Sequence, residues 1–222
     1  MVGRDTPSLV FGGQEDYRSL YYSEHLAARK VPVSIMAGYG TLKMGTAMAK
    51  NGSAGGSVGK LIPYDPTSVT GAEVAPVRAY LVQDSGIGAS DLYVPLADAY
   101  KFAVGDDVYI NDDTTTLEQL GAITAIDVTT YTHMAVITVT TVTGADSFTT
   151  ARFAYLAVQG ADTCVGILEK SVDCGTGVKA KGALATLIRG NCVLITGMLT
   201  NFDAAAIVDL SAGSWGKYTD IA

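Results

Sequence analysis

The stretch KLIPYDPTSVTGAEVAP, residues 60–76, decides how this 222-residue chain is divided. It holds three of the six prolines in the sequence, at Pro63, Pro66 and Pro76. A proline cannot donate a hydrogen bond to a β ladder, so a strand that begins at LIP ends at the PYDP corner. Because strand-like sequence lies on both sides of the stretch, we predict that one β unit stops here and another begins.

The two flanks of this corner, residues 31–75 and 161–222, predict short strands followed by a terminal helix. VPVSI alternates apolar and polar side chains, as one half-buried strand face requires. In the second flank, CVGIL predicts a strand and VKAKGALATLIRGNCVLIT predicts another pair of strands. NFDAAAIVDLSAG predicts the helix, with Asn201 or Asp203 as its N-cap and Gly213 just after its last turn.

The segment between the flanks, residues 76–160, predicts a β unit of its own. VITVTTVT alternates throughout, and Phe102 and Val104 alternate before a turn at Gly105 and Asp106. Short strands at this spacing are typical of a small β-barrel. The segment has ten acidic and three basic residues, whereas the rest of the chain has twelve of each. We therefore expect an acidic surface on this unit, turned away from any tightly packed partner.

Composition excludes several classes of protein. The net charge of −7 argues against a nucleic-acid partner. No apolar run approaches the length of a membrane-spanning helix, and the first residues lack the pattern of a secretory signal peptide. The three cysteines, Cys164, Cys174 and Cys192, include no CxxC pair, so we expect buried free thiols rather than disulfides or a metal site.

Each candidate catalytic or cofactor-binding motif lacks at least one residue that it requires. AGGSVGKL has Ala54 and Leu61 where a phosphate-binding loop needs glycine and a hydroxyl residue. GIGASD has Asp91 in place of the third glycine of a dinucleotide fingerprint. AGSWG has Ala212 in place of the first glycine of a nucleophile elbow. We therefore predict no enzyme activity and no cofactor.

Metal binding is also disfavoured. The two histidines, His25 and His133, lie far apart in the sequence, so neither predicts a ligand set. The acidic run GDDVYINDD supplies carboxylates but lacks the spaced ligand loop of a dedicated calcium site. For Asp106, Asp107, Asp112 and Asp113, we favour a solvated acidic rim over a weak calcium site.

The first thirty residues contain a cluster of tyrosines. Tyr17, Leu20, Tyr21 and Tyr22 fall within QEDYRSLYYSEHLAARK, and tyrosine is favoured at protein interfaces. The near-helical spacing fits a short packed helix, and the position at the terminus fits an extended arm that becomes ordered on a partner. The sequence leaves both interpretations open.

The two flanks resemble the lambda-like head decoration proteins of tailed bacteriophages. The front flank carries the match at Gly45 and in the GKLIPYDP stretch, chiefly at Lys60, Pro63, Tyr64 and Asp65. The back flank carries it in CVGILEKSVDCGTG and at the RG turn, at Gly166, Ile167, Leu168, Arg189 and Gly190. The family usually passes from the corner directly to the GIL strand, and here residues 76–160 intervene.

The resemblance implies a fold, an assembly and a location. The fold is mainly β with a short C-terminal helix, a β-tulip-like decoration-protein core made of residues 31–75 and 161–222, plus the inserted small β-barrel of residues 76–160. Homotrimers would bind the major capsid protein on the outer surface of the expanded head at three-fold positions. They would bridge capsomers and stabilise the shell, after assembly in the host cytoplasm. Residues 1–30 would form the capsid-binding arm.

Two other functions remain open from the sequence. A phage tail or baseplate component is also β-rich and trimeric. A glycan-binding adhesion module would use aromatic side chains of the inserted barrel to stack on sugars. The aromatic candidates are Tyr93, Tyr100, Tyr109, Tyr131 and Tyr155.

Overall fold

The structure is a computed structural model. The residues that it describes are 21–23, 30–53, 55, 57–66, 76–112, 117–140, 147–190, 192–212 and 218–221. Tyr17 and Leu20 of the predicted arm lie outside these residues, as do His25, Asp113 and Gly213. The prediction of a mainly β chain with a short C-terminal helix is confirmed.

The elements are short and numerous. The strands, in chain order, are β1 (Tyr21–Ser23), β2 (Lys30–Ile35), β3 (Thr41–Leu42), β4 (Ala47–Lys50), β5 (Leu61–Pro63), β6 (Ala79–Tyr80), β7 (Asp91–Pro95), β8 (Asp107–Asn111), β9 (Glu118–Asp127), β10 (Met134–Val139), β11 (Tyr155–Val158), β12 (Cys164–Leu168), β13 (Val172–Asp173), β14 (Ala183–Ile188), β15 (Cys192–Ile195) and β16 (Tyr218–Ile221). The helices are α1 (Leu96–Ala99) and α2 (Ala204–Ala212). Three short 3₁₀ turns lie at Thr150–Arg152, Gly177–Lys179 and Thr196–Met198.

Strands from the two flanks close one barrel, in the order β12-β14-β2-β5-β4. The pairing is antiparallel except between β2 and β5, which run parallel where Ile35 lies opposite Leu61. The alternation predicted from VPVSI is confirmed, because exposure alternates along β2 until Ile35 is fully buried. The barrel strands come from residues 30–63 and 164–188, so two distant parts of the chain share one core.

Residues 79–158 supply a second, six-stranded sheet in the order β6-β11-β8-β9-β10-β7. Its two end strands are linked where the Val82 N–H donates to the Tyr93 carbonyl at 2.9 Å, so the sheet is nearly closed. Along β10, Ala135, Ile137 and Val139 are buried, as the predicted alternation requires. A barrel-like sheet in this segment is therefore confirmed.

The strand predicted around Phe102 and Val104 is wrong. α1 follows β7 directly, and residues 100–106 form turns before β8 begins. The Asp106 carboxylate accepts the Ala103 N–H at 2.9 Å, and Gly105 takes a φ of +92° that favours glycine. Local hydrogen bonding thus turns the chain where side-chain alternation predicts an extended one.

Two small sheets, β1-β15-β16 and β13-β3, and the helix α2 complete the described chain. Both strands predicted in VKAKGALATLIRGNCVLIT form, but β14 pairs with β2 and β12, whereas β15 pairs with β1 and β16. Asp203 caps α2, because its Oδ1 accepts the Ala206 N–H at 2.9 Å. Ala206 and Leu210 are the buried residues of the helix. Within the described ranges, neither helix has the length and apolar character that crossing a membrane requires.

Candidate functional site

The PYDP corner is buried and ties β5 to the start of α2. Pro63 is the last residue of β5, and the Tyr64 N–H donates to the Ala47 carbonyl at 3.0 Å. The Tyr64 phenol donates to Oδ1 of Asp203 at 3.0 Å, the same oxygen that caps the helix through Ala206. Burial, followed by this carboxylate, raises the pKa of Tyr64, so the phenol keeps its proton as a donor.

Asp65, the next residue, contacts both places where the chain passes between the barrel and the six-stranded sheet. Its backbone N–H donates to the carbonyl of Ala161, on the returning chain, at 2.8 Å. Its Oδ1 accepts Nε of Arg78, on the outgoing chain, at 2.7 Å. Its Oδ2 accepts the phenol of Tyr109, from β8, at 2.8 Å. One side chain therefore joins the two sheets.

Arg78 completes this Asp65 cluster (Asp65, Arg78, Tyr109 and Tyr155). Its guanidinium also donates to the Pro66 carbonyl at 3.0 Å and lies 4.3 Å from the centre of the Tyr155 ring. Burial alone would lower the pKa of Arg78, but the charge of Asp65 outweighs it and raises that pKa above its ordinary value. Burial and then Asp65 raise the pKa of both Tyr109 and Tyr155. The cluster is thus a buried ion pair enclosed by neutral phenols.

Sequence reasoning missed Arg78 and its neighbour Lys101. Lys101 is 8% exposed; its ammonium donates to the Arg78 carbonyl at 2.8 Å and pairs with Asp98 at 2.7 Å. A signal was available, because these are two of only three bases in the acidic segment of residues 76–160. An isolated base in an acidic, apolar segment is a candidate for a buried ion pair.

A second polar group, the Asn51 cluster (Asn51, Ser53, Asp106 and Asp107), joins the sheets at another point. The Asn51 amide donates to Oδ1 of Asp106 at 3.1 Å, while its own oxygen accepts the Ser53 N–H at 2.8 Å. The Asp107 N–H donates to the Ser53 hydroxyl at 2.8 Å. Burial raises the pKa of Asp106, and its hydrogen bonds from Ala103 and Asn51 oppose that rise.

The expected solvated acidic rim is therefore wrong for two of its four residues. Asp106 is fully buried in the Asn51 cluster, and Asp112 is 6% exposed. Asp107 is half-buried, and Asp113 lies outside the described residues. The run GDDVYINDD is charged, but its two buried carboxylates flank β8, whose three central residues are all buried.

Glycines let the two sheets approach backbone to backbone. A Cβ at Gly55 would lie 2.1 Å from the Gly105 carbonyl oxygen. A Cβ at Gly160 would lie 2.6 Å from the Lys50 carbonyl oxygen, and Gly160 has a φ of +86°. Any other residue at these positions would push the sheets apart.

The other residues that carry the family resemblance lie in or beside the barrel. A Cβ at Gly166 on β12 would lie 2.6 Å from the Ile188 carbonyl oxygen of β14, so this glycine lets the two strands pack closely. Arg189 and Gly190 directly follow β14, and Gly190 is buried with a φ of +139°. The structure thus brings Pro63, Tyr64 and Asp65 to the junction and keeps Gly166 within the barrel wall.

The predicted arm is described over three residues. Tyr21 and Tyr22 belong to β1, which pairs antiparallel with β15. For residues 21–23 the helix interpretation is therefore wrong, and an extended strand forms.

The described thiols are buried, and the described histidine is exposed. Cys164 and Cys174 are buried free thiols, as expected, and burial raises their pKa values to about 12 and about 11. His133 lies exposed in the turn between β9 and β10. Among the residues whose positions are given, no three His, Cys, Asp or Glu side chains converge to hold a metal ion.

The aromatic candidates separate into two groups. Tyr109 and Tyr155 are buried in the Asp65 cluster, so neither is available to a ligand. Tyr93 and Tyr131 meet on the outer face of the six-stranded sheet, with ring centres 6.1 Å apart at 69°. Tyr100 belongs to neither group; it directly follows α1 and is half-buried.

Apolar side chains are exposed on the barrel and on α2. Leu184 of β14 and Val178 of the preceding turn are each 85% exposed. On α2, Ile207 and Val208 are 40% and 64% exposed. The one charged residue of α2, Asp209, turns inward to accept the Cys164 N–H at 2.8 Å, so it adds no charge to this apolar face.

Comparison with known proteins yields no match. No family model matches the chain, and no curated protein or solved structure matches it at a significant level. The resemblance to decoration proteins therefore rests on the residues quoted from the sequence.

Proposed function

We propose that this protein is a capsid decoration protein of a tailed bacteriophage. Homotrimers bind the major capsid protein on the outside of the expanded head at three-fold positions, bridge capsomers and stabilise the shell against DNA pressure. The observation that carries the proposal is the PYDP corner: the two flanks that resemble decoration proteins close one barrel, and residues 76–160 branch from it at Asp65.

The surface chemistry supports an adhesive role. The described buried charges at the junction are engaged in internal contacts, whereas Val178, Leu184, Ile207 and Val208 present uncharged apolar area. Contacts of this kind are individually weak, but three copies in a trimer make later contacts effectively intramolecular. Apolar burial at roughly 25 cal/mol per Å² would supply most of the gain.

Residues 1–30 remain the proposed capsid-binding arm, with Tyr17, Leu20, Tyr21 and Tyr22 as contacts. The pairing of β1 with β15 limits how this is tested, because removing residues 21–23 would also remove a strand of the sheet β1-β15-β16. A deletion of residues 1–20 leaves β1 in place and removes Tyr17 and Leu20, so it tests that part of the arm.

Addition of the purified protein to undecorated heads tests the proposal. We expect a trimer by native mass spectrometry, saturable binding, and heads that withstand higher temperature. Leu184→Lys should weaken binding to heads or trimer formation, while Ile87→Lys, an apolar-to-charge change in the loop between β6 and β7, should not. A monomer that leaves the heads undecorated would refute the proposal.

Electron microscopy of labelled virions distinguishes a head protein from a tail protein. A label on the 84–90 loop should appear over the head surface, directed outward. Label density confined to the tail or baseplate would replace the decoration role with a tail role.

A further inference from the structure

The outer face of β7, β10 and β9 carries an aromatic pair beside fixed carboxylates. The registers place Tyr93 opposite Val136, and Val136 opposite Asp127; one step along, Asp91 lies opposite Thr138. Their neighbours Leu92, Val94, Ala135 and Ile137 are buried, so these residues point to the outside. We call this set the outer face: Asp91, Tyr93, Asp127, Tyr131, Val136 and Thr138.

The two tyrosines form a ledge. Tyr131 comes from the turn after β9 and meets Tyr93 of β7 in an edge-to-face contact. Tyr131 is 38% exposed and Tyr93 is half-buried, so the pair holds its geometry and still leaves ring surface to solvent. Tyrosine offers large contact area at low entropic cost, together with a phenol that can donate or accept.

The two carboxylates beside the ledge are held in place. Asp91 accepts the Thr138 hydroxyl at 2.7 Å. Asp127 accepts the Thr129 N–H and hydroxyl at 2.8 and 2.9 Å, the Thr130 N–H at 3.1 Å and the Thr130 hydroxyl. A carboxylate has about four lone-pair sites. The four hydrogen bonds to Asp127 occupy that capacity, whereas Asp91 keeps acceptor capacity toward a ligand.

The geometry points to a binding site for an uncharged oligosaccharide on the outer face. A sugar ring has an apolar C–H face, which would pack on the tyrosine ledge, and hydroxyls, which would donate to Asp91. Small β-barrels elsewhere bind oligosaccharides on an exposed sheet face, which is an analogy of architecture only. This inference goes beyond capsid decoration, since it concerns a different ligand and a different part of the chain.

Charge selects among ligands. The carboxylates repel phosphate, sulfate and uronate groups, so anionic polysaccharides and nucleic acids are disfavoured. An apolar protein partner would gain little, because Val136 is the aliphatic side chain of the face. A cationic peptide is the main competitor, because aromatic rings and carboxylates also attract cations.

Calorimetric titration of the full-length protein tests this inference. The probes are hexasaccharides of glucose, mannose, galactose and N-acetylglucosamine, with heparin and oligolysine as charged comparisons. We expect saturable binding to at least one neutral hexasaccharide. Tyr131→Ala should weaken it about tenfold, since an aromatic contact of this kind is worth up to roughly that factor. Tyr131→Phe should retain most of the affinity.

Phe153→Ala is the matched control, because Phe153 is another exposed aromatic residue, lies between the 3₁₀ turn and β11, and is outside the outer face. Its affinity should equal that of the unchanged protein. Failure of all four neutral sugars, binding of oligolysine or heparin alone, or unchanged affinity in both Tyr93→Ala and Tyr131→Ala would overturn the inference. All variants should decorate heads normally, so this result and that of the head-binding assay are independent.

Discussion

Replacing Asp65 by alanine should destabilise the protein by about 3–5 kcal/mol, the usual cost of removing one partner from a buried ion pair. Arg78 is 5% exposed and Asp65 is 4% exposed, so the guanidinium would be left buried without its carboxylate. The Tyr109 phenol would lose its acceptor at the same time. These losses share one cluster and do not simply add.

Differential scanning calorimetry measures the effect. For a chain of this length, 1 kcal/mol corresponds to a Tm change of about 2–4 °C, so the expected decrease is about 6–20 °C. In the double variant Asp65→Ala/Arg78→Met, the uncompensated charge is gone, and the Tm should recover in part. Asp84→Ala, at an exposed aspartate, should lower the Tm much less. A single variant at Asp65 that loses less than about 1 kcal/mol would refute the assignment of this ion pair as a joint between the sheets.

Three further predictions concern the junction, the thiols and the carboxylate of Asp127. Gly160→Ala should lower the urea midpoint and reduce the free energy of unfolding by more than about 1 kcal/mol, because its Cβ would clash with backbone at a positive φ. Gly86→Ala has open space around it and should leave the midpoint unchanged. Equal midpoints for the two variants would contradict the close approach. In the native protein, Cys164 and Cys174 should react with iodoacetamide at pH 8 far more slowly than in urea, since their pKa values are about 12 and about 11; equal rates by mass spectrometry would count against burial. Hydrogen bonds from threonines lower the pKa of Asp127 below 3.8, so its contribution to stability is present above that pH and is lost as the pH falls toward the folded-state pKa. Between pH 5 and pH 3, the Asp127→Asn variant should therefore lose less stability in urea unfolding than the unchanged protein. An equal loss in the two proteins would contradict this.

Much of the local structure could be predicted from the sequence because it depends on the periodicity of apolar residues and on residues that end or cap an element. VPVSI and VITV alternate as strands, proline ends β5, and an aspartate precedes an alanine-rich run at α2. The lack of a CxxC pair likewise predicts buried free thiols, and this is confirmed for Cys164 and Cys174. These features are decided within a few residues, so no tertiary information is needed.

The junction could not be predicted in the same way. Asp65 and Tyr109 are 44 residues apart, and Asn51 and Asp106 are 55 apart, so their hydrogen bonds depend on how the sheets meet. Counting charges indicates an acidic surface, yet it cannot tell that Asp106 is buried and satisfied by an amide. The loop at Phe102 shows the same limit, because one backbone-to-carboxylate bond there decides against a strand.

The hydrogen bond between Asp65 and Ala161 has a consequence for the evolution and engineering of this chain. It brings the beginning and the end of a long excursion to adjacent points, so the two cut ends could be rejoined by a short glycine bridge. A foreign domain whose own termini lie side by side could be inserted at the same position. If that domain supplied a guanidinium to Asp65, its attachment would be rigid rather than flexible.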